Sequence, residues 1–160
     1  MNSVKVNNQY EIQVPEFAEE VVHLSADASL QYANPNNDFC LMVIDDSKDA
    51  FEQILYGANL QNDFPNTIDG ITSYLQVAQK QLIGESGQID YSPVTSLQIN
   101  GKDARQYTIE ATIEGEELYY LYTIIDGDMH YYQILNWTYS TKKDQYQDLF
   151  NQISQSFKEL

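Results

Sequence analysis

The chain is poor in the residues that most often carry chemistry. It has one cysteine, Cys40, so no intramolecular disulfide can form. It has two histidines, His23 and His130. Together with Cys40 they are the whole supply of nitrogen and sulfur ligands, too few and wrongly spaced for zinc. Lysine and arginine total 8 against 24 aspartates and glutamates, a formal net charge of −16. Such a field repels phosphate backbones and anionic lipid, which excludes nucleic acid as a partner. No apolar run reaches the length of a membrane-spanning helix. The start, "MNSVKVNNQYEIQVP", lacks the apolar segment of a signal peptide.

What is present is enough apolar material for a proper core, 42% of 160 residues. Residues 1–9 are polar and read as a flexible N-terminal arm, with residues 10–160 as a single domain. Tyr10 to Val14 alternates and reads as a strand stopped by Pro15. Ala28 to Ala33 and the apolar run Phe39 to Ile44 read as a hairpin around the turn cluster "NPNND". Cys40 lies inside that run and reads as a buried small hydrophobe.

Three helices are expected, each from its stripe and its ends. Ser47 caps the first, with Asp49 in its first turn and Phe51, Ile54 and Leu55 at helical spacing. The second spans about Ile68 to Ile83, with Ile68, Ile71, Leu75, Ala78 and Leu82 on one stripe. The third begins at Thr141, with Asp144 at the capping-box position, and carries Tyr146, Leu149, Phe150, Ile153, Phe157 and Leu160.

Between the second and third helices, Asn100-Gly101, Glu114-Gly115 and Asp126-Gly127 punctuate four strands as two-residue turns. The turns predict a register. Glu114-Gly115 sets Tyr107 opposite Tyr122, and Asp126-Gly127 sets Tyr122 opposite Tyr131. Both place Tyr107, Ile109, Leu118, Tyr120, Tyr122, Tyr131 and Trp137 on one face, an apolar core face. The other face is mixed. Glu110, Tyr119, His130 and Tyr132 share it and could line a small-ligand groove if that face stays open.

No catalytic set is legible. Asp45-Asp46 are strand neighbours that point to opposite faces. Glu110 and Glu117 are out of register with one another, so they are poor partners for glycoside chemistry. Asp126-Gly127-Asp128 lacks the further bidentate acid of a calcium loop. No metal and no cofactor is expected, and the chain does not read as an enzyme.

The stretches "INGKDARQYTI", "YYLYTIIDGDMHYYQILNWT" and "YQDLFNQISQSFKEL", in that order, resemble the PsbP/Mog-like superfamily. The resemblance covers most of the chain from Tyr10 onward. It implies an α+β fold: an antiparallel sheet of about six strands flanked by about three helices, an α/β/α sandwich. Members are mostly non-enzymatic: extrinsic photosystem subunits, a Ran-binding import factor and many bacterial lipoprotein domains. No family-wide catalytic motif carries over. The resemblance implies a non-catalytic binding or accessory domain, with an unknown protein or small molecule as partner. The cell envelope is favoured over the cytoplasm. Bacterial members often carry a lipobox upstream, so a lipid anchor ahead of this chain stays open, as does a cytoplasmic protein-interaction role.

Overall fold

The computed structural model describes residues 1–36, 38–57 and 89–160. Along the chain run β1 (Asn2–Val6), β2 (Tyr10–Val14), β3 (Glu19–Glu20), β4 (Ala28–Ala33), β5 (Cys40–Ser47) and α1 (Lys48–Gly57). Then come β6 (Ile89–Tyr91), β7 (Thr95–Ile99), β8 (Lys102–Ile113), β9 (Glu116–Asp126) and β10 (His130–Tyr139). A 3₁₀ turn at Ser140–Lys142 leads into α2 (Lys143–Gln155), and β11 (Lys158–Glu159) ends the chain.

The strands form two antiparallel sheets. One has eight strands in the order β3-β4-β5-β10-β9-β8-β6, with β7 also on β8. The other has three, β1-β2-β11. The architecture is α+β, with a larger sheet than the six strands expected and two helices among the described residues. The helix expected over Ile68 to Ile83 lies outside the described residues. The stretch expected as a flexible arm contains β1, paired to β2 from Asn2↔Val14 to Val6↔Tyr10. Asn7 and Asn8 make the connection at φ 52° and 53°, a left-handed conformation that asparagine tolerates best after glycine.

Two glycine turns form as the residues predict. Asn100 and Gly101 have φ 47° and 82°, and Glu114 and Gly115 have φ 53° and 80°. Positive φ at both central residues gives the turn whose twist matches the flanking strands. Tyr107 accordingly faces Tyr122. The β4–β5 hairpin also forms. Asn34 holds its turn by accepting from the N–H groups of Asp38 and Phe39 at 2.9 and 3.3 Å.

The third turn departs from expectation. Tyr122 faces Leu135 instead of Tyr131, and Tyr131 faces Asp126. Neither Asp126 nor Gly127 is among the residues with positive φ. A wider loop replaces the tight one, closed by the Gly127 N–H donating to the His130 carbonyl at 2.9 Å. The loop is held from outside: Lys48 pairs with Asp126, and its N–H donates to the Met129 carbonyl at 3.0 Å. The slip is four residues, an even number, so every side chain keeps its predicted face.

Both faces of the eight-stranded sheet are cores. On the predicted core face Met42, Tyr107, Ile109, Tyr122, Ile124, Tyr131 and Leu135 are buried, with Phe51 of α1 packed among them. The face read as mixed is closed by α2 and the β1–β2 hairpin. Tyr119, Leu121, Ile125, Tyr132 and Ile134 meet Tyr146, Phe150 and Ile153 of α2 there, and Tyr10 and Ile12 of β2. Each such fully buried large apolar side chain stabilises by roughly 1.5–3 kcal/mol.

The C-terminal helix is shorter than its stripe suggests. It starts at Lys143 with no side-chain cap bond, so the Thr141–Asp144 box is not made. It stops at Gln155 because other partners claim the backbone that follows. Asn100 Nδ2 donates to the carbonyls of Gln155 and Phe157 at 3.3 and 2.6 Å. Lys158 and Glu159 pair with Glu11 and Tyr10, and the Leu160 N–H donates to the Gln9 carbonyl at 2.9 Å. Phe157 is fully buried against Tyr10 and Tyr132, at ring separations of 5.3 and 4.7 Å. Leu160 is 52% exposed, not part of the buried stripe.

Candidate functional site

The four residues singled out from sequence fall into two separate pairs. Glu110 on β8 stands opposite Tyr119 on β9. Tyr132 on β10 stands opposite Ile125, six residues further along β9. At the rise of an extended strand that is about 20 Å, too far to line one small pocket.

At the first pair, Lys143 at the start of α2 does most of the organising. Its ammonium lies 3.2 Å from Glu110 Oε1 and 5.2 Å from the centre of the Tyr119 ring. Tyr119 is only 2% exposed and stacks on Phe150 at 6.2 Å. Burial raises the Tyr119 phenol above its ordinary pKa; Lys143 opposes this and Glu110 adds to it. The hydrogen bond to Glu110 raises the Lys143 ammonium in turn. Glu110 itself is exposed and borders a shallow cavity of about 230 Å³ with Asp90, Thr112, Glu117 and Ser140.

At the second pair, His130 is half-buried, with its ring 6.0 Å from that of Tyr132. The Tyr132 ring is fully buried and meets Tyr10 edge-on at 5.4 Å. Its hydroxyl donates to Glu159 Oε2 at 3.0 Å. Burial is the largest reason its phenol pKa is raised, with the Glu159 carboxylate adding to it. His130 and the rim of Tyr132 border a cavity of about 370 Å³ with Asn7, Gln9, Met129 and Glu159. α2 and β11 cover both tyrosine rings, so the mixed face does not stay open there, and the edge around His130 remains.

The acidic turn between β9 and β10 is neutralised by neighbours. Asp126 pairs with Lys48, and Asp128 with Lys102 at 2.6 Å. Glu159 reaches in from β11, accepting from the Asp128 N–H at 2.9 and 3.2 Å, and lies 3.5 Å from the Lys102 ammonium. The Lys102 hydrogen bond holds the Asp128 carboxyl below the usual carboxylate range. Among the described residues, no group of three histidine, cysteine, aspartate or glutamate side chains converges as a metal site would need. Asp45 accepts from Gln9 Nε2 at 2.9 Å, and Asp45 and Asp46 stand opposite Tyr132 and Tyr131 in successive register positions. Cys40 is buried, and burial pushes its thiol up to about 11, with Asp38 adding to the shift. A thiol so placed is a poor nucleophile at neutral pH.

Sequence reasoning passed over the β1–β2 hairpin and the β11 clasp. The signals were there: Val4 and Val6 alternate with polar residues, and Asn7-Asn8 precedes the Tyr10 strand. For β11 no local signal exists, because Lys158-Glu159 is a strand only through its pairing with β2.

No protein-family model matches the chain, and no curated protein sequence matches it. Solved structures do. The cyanobacterial PsbP of Synechocystis sp. PCC 6803 superposes with a TM-score of 0.68 at 13% identity, over 98% of this chain and 89% of that one. LpqN of Mycobacterium tuberculosis, described as involved in cell envelope biogenesis, gives 0.64 at 13% identity over 94% and 82%. The Saccharomyces cerevisiae Ran-binding protein Mog1p gives 0.62 at 7% identity over 98% and 94%. The chain has the PsbP/Mog-like fold. Among the described residues no helix is long and apolar enough to cross a membrane.

Proposed function

We propose that the chain is a non-catalytic binding or accessory domain of a bacterial cell-envelope protein, with β1 part of its single folded unit. The observation that carries this reading is how the acidic groups of the described residues are used. Asp126, Asp128 and Glu159 at one end of the sheet and Glu110 at the other are each tied to a lysine or a backbone N–H group, and a reaction needs titratable groups that converge. The fold supports it too: Mog1p is a Ran-binding protein, and LpqN is involved in cell envelope biogenesis. The partner is a protein with a basic surface, given the formal charge of −16. In vivo cross-linking in the native host, with fractionation of the envelope, tests this. Recovery of one stoichiometric envelope partner is the expected result. A turnover activity abolished by a single carboxylate-to-amide change would overturn it.

A second reading has one observation in its favour. His130 and Tyr132, two of the four residues singled out from sequence, border the same cavity of about 370 Å³. That cavity would take a small polar ligand, while Glu110 and Tyr119 lie too far away to help. Loss of ligand-induced shifts in the His130 imidazole signal on Met129→Ala would support it. Screening that finds no ligand-dependent shift there would remove it.

A further inference from the structure

Among the described residues the β1 strand is an edge: it pairs with β2 alone, over five residues in unbroken register, with no proline and no bulge. Folded proteins usually blunt an exposed edge with short strands, charges, proline or a bulge. Elsewhere this chain does so: β3, at the end of the eight-stranded sheet, is just Glu19-Glu20. On β1 the one charged side chain is Lys5.

Alongside this edge runs a groove of about 450 Å³. Val4, Lys5 and Val6 form one wall, and Val22, Leu30 and Tyr32 belong to the other. Val22 is 86% exposed. The groove thus sets an open row of backbone hydrogen-bonding groups against a mainly polar lining, with Val22 as its exposed apolar contact, and an added strand uses such a row.

Charge decides between occupants. A second copy of the chain would bring a further formal charge of −16 and is repelled at moderate ionic strength. A basic strand is attracted: Glu20 in the groove and Glu19 beside it set two carboxylates against the one ammonium there, Lys5. We propose that the β1 edge and the groove beside it receive an extended, basic segment of a partner protein as an added strand. This rests on the reading of the chain as a protein-binding domain, and it names the surface and the kind of partner.

The test uses a short peptide of alternating lysine and valine, with the glutamate–valine peptide of the same length as its counterpart. Amide shifts and exchange are followed on the full chain. The lysine peptide is expected to slow exchange at Asn2–Val6 and shift Leu30 to Tyr32, and the glutamate peptide to leave both unchanged. Neighbouring residues of an edge strand offer their N–H groups alternately to the paired strand and to the open side. Of Ser3→Pro and Val4→Pro, therefore, one removes a donor to β2 and the other an outward donor. The variant that keeps the parent melting temperature is expected to bind the lysine peptide about tenfold more weakly. Equal binding of both peptides, or shifts confined to the Glu110–Glu117 surface, would overturn the proposal. So would unweakened binding by the stably folded variant. Host cross-links at another face, with β1 silent, would leave the domain a protein binder and sink the edge proposal alone. Absence of both would remove the two readings together.

Discussion

The two ends of β9 carry glycine turns of similar sequence, and they are held in opposite ways. At Glu114-Gly115 both residues have positive φ, and a Cβ on Gly115 would meet nothing within 4 Å. That glycine serves the backbone conformation. At Asp126-Gly127 the backbone needs no positive φ, but a Cβ on Gly127 would run into Glu159 Oε2. It would also stand 2.6 Å from Tyr132 Cε2 and 2.8 Å from the His130 carbonyl. That glycine serves the close approach of the C-terminal strand. The difference separates a turn encoded by its own residues from a turn set by distant ones.

Removing the anchor of the distant partner gives the largest expected effect. Phe157→Ala empties a fully buried site against Tyr10 and Tyr132 and releases β11 from β2. The expected loss is about 3–5 kcal/mol in urea unfolding. Amide exchange is expected to accelerate at Gly127 and Asp128 and not at Glu114 and Gly115. Equal acceleration at both turns would erase the comparison.

The two glycines themselves come next. Gly127→Ala forces Glu159 and the Tyr132 ring aside and is expected to cost about 2–3 kcal/mol, as overpacking does. Gly115→Ala meets open space and pays for the left-handed conformation alone, about 1 kcal/mol. Thermal unfolding of both variants measures the gap. The decisive step is the double variant Gly127→Ala with Glu159→Ala. Removing the carboxylate gives the new methyl part of its room, so the two costs are expected to sum to more than the double variant loses. Strict additivity would mean that Glu159 does not confine the turn.

The same contrast explains what was legible in the sequence. Asn100-Gly101 and Glu114-Gly115 could be placed because positive φ is a requirement of the turn residues themselves. Side-chain parity along β8, β9 and β10 was legible for the same local reason, and survived an even slip in register. The register at Asp126 was not, because Lys48 and Glu159 decide it from elsewhere in the chain. Closure of the mixed face was hidden by polar residues that look solvent-facing. Thr123, Asn136 and Ser154 are all fully buried, and Ser154 of α2 lies 3.4 Å from Thr123 Oγ1 and accepts from Asn136 Nδ2 at 3.3 Å. Hydrogen bonding of this kind offsets much of the cost of burying polar residues in a core, though Asn136 Oδ1 has no partner among the described residues. Of the candidate site, Glu110 was rightly paired with Tyr119 by register, yet burial of Tyr119 depended on α2 arriving above it.

The smallest expected effect concerns acid. Asp128 has its carboxyl pKa lowered, first by the Lys102 hydrogen bond and then by the attraction of the same ammonium. A carboxyl lowered in the folded state favours folding above its unfolded pKa, and that contribution fades as pH falls through the folded value. Stability should therefore decline on the acid side of the ordinary carboxylate range, and Asp128→Asn should remove that part of the decline. The side chain is 79% exposed, so the contribution is screened and should shrink further in high salt. Carbon-detected titration of the Asp128 carboxyl, alone and in Lys102→Gln, reads the same linkage directly. In Lys102→Gln the carboxyl is expected to return toward its ordinary range while the Asp128 N–H bond to Glu159 persists. A titration unchanged by Lys102→Gln would show that Lys102 does not set the charge state of this turn and would leave Lys48 as the cation that does.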